Sequence, residues 1–195
     1  SLEQVMKKRK STGIFESIKT IIYALLIALF VRTLAYEPFN IPSGSMLPTL
    51  KIGDYLFVSK FSYGYSRHSL PFSLPLIPGR ILASKPKRGD VAVFKLPTDN
   101  RTDYIKRIIG LPGDWVEIKD GVVLVNNDPL SSDFGFTSSI SFDRRMKVPE
   151  SMYFVLGDNR NHSNDSRLFG FISSENIIGR VWIAYWPFLE FKVFG

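Results

Sequence analysis

The pattern of hydrophobic and polar positions divides this sequence into a long apolar segment and a remainder of short alternating runs. Every residue from Ile21 to Val31 is apolar or aromatic, and only Arg32 interrupts the continuation to Tyr36. A helix over residues 14–36 would be about 34 Å long, enough to cross the hydrocarbon core of a bilayer. Because this stretch is apolar around its whole circumference, we expect a transmembrane helix. A buried core helix and an uncleaved secretory signal are the alternatives.

Charged residues beside the apolar segment predict its orientation. The cluster KKRK at residues 7–10 precedes the segment, and Glu37 follows it directly. Basic residues next to a span favour the cytoplasmic side. We therefore expect residues 1–13 to be a cytoplasmic basic segment, residues 14–36 a single-pass anchor, and residues 37–195 a domain on the outer side.

After the anchor the hydrophobic period changes to two. Short runs rich in Val, Ile, Phe and Tyr are bounded by Gly, Pro, Asp or Asn, as strands separated by turns are. Asp120 and Gly121, between apolar flanks, predict a hairpin turn. The runs lie at residues 54–64, 90–97, 103–114, 114–127, 151–159 and 177–188. This pattern predicts a mainly β domain, built as a partly closed barrel or a pair of sheets.

Two segments interrupt the strand pattern. Residues 65–89 carry four prolines among apolar side chains, and contact with the membrane surface or local packing would each explain this composition. Residues 131–145 are rich in Ser and Phe, and we expect them to form a mobile excursion.

Composition narrows the chemistry that the domain can perform. The 195 residues include no cysteine and two histidines, His68 and His162. A disulfide and a thiolate nucleophile are thereby excluded, and a histidine-rich metal site is not expected. The formal net charge is +7, but part of the excess lies in the KKRK cluster beside the anchor. We therefore expect no metal, no cofactor and no nucleic-acid partner.

The stretch FNIPSGSMLPTL, shortly after the anchor, holds small polar residues between two prolines. Ser43, Gly44 and Ser45 stand between Pro42 and Pro48. Proline fixes φ and removes a backbone donor, so this stretch is a stiffened turn rather than a helix or a central strand. A rigid turn of this kind suits a serine nucleophile, and a linker leaving the membrane is the alternative interpretation.

Serine becomes a good nucleophile only when a neighbouring base takes its proton, and Lys106 is one candidate for that base. Alternation in the strand-like stretch TDYIKRIIG places Tyr104 and Ile108 on the same face as Lys106. Burial there would lower the lysine pKa, as the mechanism requires, because roughly one lysine in 2,500 is neutral at pH 7 when its pKa is about 10.4. Spacing alone favours the alternative, an edge-strand lysine that reaches solvent.

His162, in the stretch GDNRNHSNDSRLFGF, is the other candidate base. Asp158 and Asp165 lie nearby, which suggests a Ser-His-Asp triad, although neighbours along a chain seldom form one. The stretch lacks the Gly and Glu positions of a calcium loop. Its composition suits a rigid turn that supports a site, in which Ser163 could hydrogen-bond a base and Asp165 could pair with Arg167.

Four stretches together resemble the bacterial type I signal peptidases, membrane-bound proteases that remove signal peptides from exported proteins. These stretches are IPSGSMLPTL, GDYLFVSKFSYG, KRGDVAVF running on to DYIKRIIGLPGD, and GDNRNHSNDSRLFGFI, and they stand in the same order behind an anchor. The match extends over residues 37–183. The resemblance implies a transmembrane helix followed by a mainly β catalytic domain of the signal peptidase type.

The resemblance also implies catalytic roles. Ser45 would be the nucleophile and Lys106 the general base, in a reaction that passes through an acyl-enzyme. Ser43 would offer its hydroxyl to the oxyanion beside the backbone N–H of Ser45, since such donors stabilise charge that develops in the transition state.

Further residues of the resemblance would support the site or bind substrate. Ser163 would orient the base, and Asp165 with Arg167 would hold the last stretch in place. The positions that would line shallow apolar pockets, for small side chains at −1 and −3 before the cut, are Phe39, Ile41, Tyr104 and Ile105.

The partners implied are the signal peptides of exported preproteins and membrane lipid, with no obligate protein partner. The implied location is the inner membrane of a bacterium, with the catalytic domain on the periplasmic or outer side. Residues 121–150 are short beside the second β subdomain of many relatives, and we interpret them as a short insertion.

Two rival classes make different predictions. Soluble self-cleaving repressors share a Ser-Lys dyad and a related β fold, but they need no anchor. A membrane-tethered β module that binds acidic lipid or nucleic acid would leave Ser43, Ser45 and Lys106 without a role.

Overall fold

The computed structural model describes residues 2–34, 36–66, 80–81, 84–134, 136–186 and 192–194. A single helix, α1 (Leu2–Leu34), contains the apolar segment. Its stretch Gly13–Arg32 has a mean hydropathy of 2.1, and none of it is buried against the domain. A helix that is apolar on all sides and uncovered by protein is suited to lipid.

The helix ends before Tyr36, which the sequence assigned to the end of the anchor. Tyr36 instead begins the first strand, and its ring stacks on Trp182 with 5.1 Å between the centroids. Glu37 of the same strand lies 3.3 Å from Nη2 of Arg32 and 3.1 Å from Nζ of the buried Lys60. The end of α1 is therefore tied directly to the sheet.

Fourteen strands and a second short helix follow α1 within the described residues. The strands are β1 (Tyr36–Asn40), β2 (Tyr55–Ser59), β3 (Tyr65–Ser66), β4 (Arg80–Ile81), β5 (Val91–Lys95), β6 (Asp103–Gly110), β7 (Trp115–Lys119), β8 (Val122–Val125), β9 (Asp128–Pro129), β10 (Arg144–Lys147), β11 (Met152–Leu156), β12 (Ile172–Ser173), β13 (Ile177–Trp186) and β14 (Lys192–Val193). The helix α2 is Ser166–Phe169, and 3-10 turns lie at Phe61–Tyr63 and Ser174–Asn176. Each of the six alternating runs contains a strand, so the expectation of a mainly β domain is confirmed.

The largest sheet is antiparallel and carries the strands in the order β1-β2-β13-β5-β6-β11-β12, with β14 paired to β13. Register shifts interrupt β13 where it pairs with β2 and with β5. Such bulges bend a strand and increase its twist, which curls the sheet towards a half-barrel. A smaller sheet has the order β10-β7-β8-β9, and β3 pairs with β4.

The centre of the large sheet is buried on both faces. Along β5, Val91 and Val93 belong to one hydrophobic cluster, whereas Ala92 and Phe94 belong to another. The neighbouring strand β6 contributes to three clusters, and its Ile109 packs into the third. These two strands are therefore a rigid platform, because core side chains are packed as densely as in organic crystals.

The smaller sheet includes the predicted hairpin. Asp120 and Gly121 have φ values of 50° and 77° and join β7 to β8, as a type I′ turn requires. Residues 121–150, interpreted as an insertion, complete this sheet with β8, β9 and β10.

The two interrupting segments differ in what the structure shows of them. Residues 67–79 and 82–83 lie outside the described residues, so the two explanations offered for residues 65–89, membrane contact and local packing, stay predictions. Phe134 and Phe142 pack against the third hydrophobic cluster, and Arg160 donates hydrogen bonds to the carbonyl of Phe134 at 2.8 Å and to that of Phe136 at 2.7 Å. The excursion at residues 131–145 is thus fastened to the domain, in contrast to the expected mobile segment.

Candidate active site

The serine-bearing turn is anchored at both ends. Just before β2, the N–H of Ile41 donates to the carbonyl of Asp54, and the N–H of Gly53 donates to the carbonyl of Ile41, each at 2.9 Å. On the other side of the turn, Met46 and Leu50 are buried in the first hydrophobic cluster. The residues between these anchors, including Ser45, are consequently held in one position against the sheet.

Lys106 lies on β6, between β5 and β11, with Ala92 opposite it in the ladder. Its Nζ atom is 2.6 Å from Oγ of Ser45 and 5.3 Å from the centroid of the Tyr104 ring. Only 4% of the residue is exposed. The alternative of an edge-strand lysine in solvent is wrong, because β6 is paired on both sides and the turn of Ser45 covers the amine.

This burial changes the proton affinity of the amine. Desolvation lowers the pKa of Lys106 to about 8, although the carboxylates of Asp165 and Asp158 act in the opposite direction. With that pKa about a tenth of the amine is neutral at pH 7, compared with roughly one part in 2,500 for a free lysine. Lys106 is therefore suited to accept a proton from Ser45.

A second hydroxyl stands beside the first. Oγ of Ser43 lies 3.3 Å from Oγ of Ser45, on the exposed side of the turn. The backbone N–H of Ser45 donates to no group among the described residues. Both groups are hydrogen-bond donors beside the Ser45 hydroxyl, and the hydroxyl of Ser43 donates to Oγ of Ser45 in this structure.

Ser163 does not make the hydrogen bond to the base that the sequence suggested. Its Oγ is buried and has no hydrogen-bond partner in the described part of the chain. The hydroxyl packs against Gly157, where an added Cβ would overlap Oγ of Ser163 and the carbonyl oxygen of Ser45. Glycine at this position lets the end of β11, the turn of Ser163 and the turn of Ser45 approach one another closely.

Asp165 and Arg167 form a bidentate ion pair. Nε and Nη2 of Arg167 donate to Oδ1 and Oδ2 of Asp165, both at 2.9 Å. The fully buried Asp165 also caps α2 and accepts a hydrogen bond of 3.1 Å from the N–H of Gly157. This carboxylate thus fixes the segment that follows β11 relative to the strand itself.

A second buried ion pair was not predicted from the sequence. Arg107, the neighbour of the candidate base, donates from Nε and Nη2 to Asp158 at 2.8 and 2.6 Å. Asp158 also accepts a hydrogen bond from Thr49, on the serine-bearing turn. Arg107 directly follows Lys106, and Asp158 directly follows Gly157, so both charged residues were visible in the sequence. Sequence spacing does not reveal which arginine pairs with which carboxylate.

Asn159 is another site residue that sequence reasoning missed. Its backbone N–H donates to the carbonyl of Ser45, and its Nδ2 donates to the carbonyl of Gly44, both at 3.0 Å. A polar residue in a turn gives no sequence signal for such a contact, because 115 residues separate Asn159 from Gly44.

His162 is exposed, and its imidazole makes no hydrogen bond to the described residues. Its backbone N–H donates to Asn159 instead. The described partners of the Ser45 hydroxyl are Lys106 and Ser43. The structure therefore does not form the alternative Ser-His-Asp arrangement.

A cleft of about 490 Å³ opens beside Ser45 and Lys106. Its walls are mostly apolar, and Nδ2 of Asn164 donates to the hydroxyl of Tyr104 at its rim. The four residues that the resemblance assigns to substrate binding all line it, namely Phe39, Ile41, Tyr104 and Ile105. Within the described part of the chain, no three His, Asp or Glu side chains converge as metal ligands would.

Comparison with known proteins gives consistent matches. The family model described as signal peptidase, peptidase S26, matches residues 14–186. Signal peptidase I of Rickettsia typhi is 38% identical over an alignment that covers 83% of this chain and 77% of the relative. Signal peptidase I of Rickettsia canadensis is 37% identical, with 85% and 78% covered. A solved signal peptidase I from Enterococcus faecalis is 36% identical with a TM-score of 0.44, covering 50% of this chain and 97% of that one.

The burial of Lys106 predicts a stability that depends on pH. The folded-state pKa of about 8 lies below the ordinary 10.5, so the cost of burial is fully present below pH 8 and disappears as the pH rises to 10.5. Lys106→Met should therefore be more stable than the wild type by about 3 kcal/mol at pH 7 from this cause. The gain should fall below about 0.5 kcal/mol at pH 10.5. Urea unfolding in detergent at both pH values measures the difference.

The exposed Lys87 provides the matched control for this experiment. Lys87→Met should show no gain that varies with pH. A stabilisation by Lys106→Met that is the same at both pH values would contradict a lowered pKa of the buried amine.

Proposed function

Because this chain belongs to the signal peptidase family, peptidase S26, whose members are serine endopeptidases that remove signal peptides, we propose that Ser45 and Lys106 form its catalytic dyad. The observation that supports this proposal is the 2.6 Å separation between the buried Nζ of Lys106 and Oγ of Ser45. A nucleophile within hydrogen-bond reach of a base with a lowered pKa is the arrangement that activates a hydroxyl.

The reaction proceeds through an acyl-enzyme. Neutral Lys106 takes the hydroxyl proton as Oγ of Ser45 attacks the scissile carbonyl carbon, and the carbonyl oxygen becomes an oxyanion. The N–H of Ser45 and the hydroxyl of Ser43 stabilise that oxygen. The Lys106 ammonium then protonates the leaving amine, which leaves an ester on Ser45. Lys106 next removes a proton from water, and hydrolysis of the ester releases the signal peptide carboxylate.

The cleft beside the dyad supports a preference for small side chains. Phe39 of β1 and Ile105 of β6 both pack against the first hydrophobic cluster, so neither can move aside for a bulky group. The pockets that they line with Ile41 and Tyr104 accept alanine-sized residues at −1 and −3. Extended substrate passes between β1 and β6 in front of Ser45.

The anchor places this site near a membrane. The extended chain from residue 34 to residue 45 spans at most about 40 Å, so the dyad remains within that distance of the outer end of α1. Residues 1–13 lie in the cytoplasm, and residues 37–195 lie on the periplasmic or outer face of the bacterial inner membrane. Lipid contacts α1 and residues 65–89, and the enzyme acts on signal peptides without nucleic acid or an obligate protein partner.

Removal of either dyad residue should abolish cleavage. With a signal-bearing preprotein in detergent, Ser45→Ala and Lys106→Ala should each lose at least about 10³-fold in kcat, since the nucleophile or its base is gone. His162→Ala should stay within about threefold of the wild type, because the imidazole contacts neither residue. Circular dichroism checks that each variant is folded.

Two other outcomes of this assay have definite meanings. An inactive His162→Ala variant beside an active Lys106→Ala variant would replace the dyad with the triad. Normal cleavage by both Ser45→Ala and Lys106→Ala would mean that these residues have no catalytic role, as in a tethered binding module.

The dependence of kcat/KM on pH should reflect the pKa of Lys106. Because the neutral amine is the active form and its pKa is about 8, kcat/KM should fall about tenfold for each pH unit below 8. It should level off above that value. A plateau that already begins near pH 6.5 would point to histidine as the base.

The orientation proposed for the anchor predicts which side of a membrane exposes the domain. In spheroplasts, added protease should digest residues 37–195, whereas in inverted inner-membrane vesicles the same residues should be protected. An epitope placed before residue 7 should show the opposite pattern. Protection of the domain in spheroplasts would reverse the orientation.

A further inference from the structure

We propose that Asn159 is a positioning residue that holds the Gly44–Ser45 peptide in the one orientation in which the Ser45 N–H can bind the oxyanion. The proposal rests on the catalytic dyad inferred above. It assigns a role to a turn residue that makes no contact with the reacting hydroxyl.

Asn159 donates hydrogen bonds to the backbone carbonyls on both sides of the Ser45 Cα atom. Nδ2 donates to the carbonyl before Ser45, that of Gly44, and the backbone N–H donates to the carbonyl of Ser45 itself, each at 3.0 Å. The carbonyls on both sides of the nucleophile are therefore fixed by one residue from the turn that follows β11. The N–H of Leu47 also donates to Gly44, at the longer distance of 3.2 Å.

Because the peptide is planar, fixing the carbonyl of Gly44 also fixes the N–H of Ser45, the proposed oxyanion donor. A trans peptide is planar, and its C=O and N–H groups point in opposite directions. A hydrogen bond that fixes the carbonyl of Gly44 therefore directs the N–H of Ser45 away from Asn159. That N–H has no partner in the described part of the chain, and Ser43 and Ser45 both line the substrate cleft.

The sequence of the turn does not prevent the opposite orientation. A peptide flip changes ψ of residue 44 and φ of residue 45, and Gly44 has no Cβ to restrict the first of these angles. The flipped state would turn the carbonyl of Gly44 towards the cleft and remove the donor. The hydrogen bond from Asn159 to that carbonyl, added to the longer one from Leu47, favours the productive state.

Asn159 is itself held in place. Its neighbour Asp158 is paired with Arg107, and its own carbonyl accepts a hydrogen bond of 2.9 Å from the N–H of His162. The amide is therefore pre-positioned before substrate binds, as an effective supporting group must be.

The role predicts a loss of kcat without a loss of binding. Asn159→Ala and Asn159→Asp both lack the Nδ2 donor, and each should lower kcat for a preprotein by about 10- to 100-fold, less than the effect of removing an oxyanion donor outright. KM should change by less than about threefold. For Asn159→Ala the midpoint of the pH profile should stay near 8, because this substitution adds no charge near Lys106.

A transition-state analogue separates positioning from structure. A peptide aldehyde adds to Oγ of Ser45, so that its carbonyl oxygen becomes the oxyanion, whereas the matching peptide alcohol binds the same cleft without forming one. In the full-length enzyme, Asn159→Ala should weaken aldehyde binding by the same factor as kcat and leave alcohol binding within about twofold. Asn161→Ala is the matched control, since Asn161 lies in the same turn and bonds to Ser138 and Ser139 instead.

Two results would overturn this inference. They are kcat of Asn159→Ala and Asn159→Asp within about threefold of the wild type, and an equal loss of aldehyde and alcohol binding in a variant that remains folded. Each is distinguishable from failure of the dyad, because that failure leaves Ser45→Ala and Lys106→Ala active. If the dyad holds and the Asn159 variants keep full kcat, the positioning role alone is wrong.

Discussion

The structure depends on the burial of one amine. Water stabilises an ammonium strongly, and moving Lys106 into a site only 4% exposed removes most of that stabilisation. Because its pKa falls to about 8, about a tenth of the amine is neutral at pH 7 and can accept a proton. The same burial makes the folded state less stable than it would be with an apolar side chain at this position. The same desolvation therefore produces the chemistry and opposes the fold, and the rest of the domain must offset its cost.

The segment after β11 fixes the geometry around this buried amine. Asp158 and Asp165 are buried, and each is paired in two-pronged fashion with an arginine, Arg107 and Arg167. A buried pair adds little net stability, but it specifies a geometry because either charge alone would be costly. These pairs align β6, the serine-bearing turn and the last motif around the amine, and desolvation still outweighs the effect of both carboxylates on the pKa of Lys106.

Sequence reasoning predicted what depends on local pattern. The long apolar helix, the alternating strands and the Asp120–Gly121 hairpin all follow from hydrophobic period or turn chemistry, and each is present in the fold. Lys106 could be singled out as a candidate, but its burial could not be deduced, because it depends on the pairing of β6 with strands distant in sequence. The hydrogen bonds from Asn159 to the carbonyls of Gly44 and Ser45 were missed for the same reason. The expected bond from Ser163 is absent, since close approach to Gly157 fills the space beside its hydroxyl.

The ion pairs of Glu37 with Arg32 and Lys60 have a consequence for how a cutting position is selected. A domain joined to its anchor by a flexible linker would sample many heights above the bilayer. Here the first strand begins immediately after α1 and is tied to it by these ion pairs, so Ser45, the proposed nucleophile, would stay at a nearly constant height above a bilayer that α1 spans. The position of the scissile bond would then be selected by its distance from the lipid surface as well as by the side chains around it.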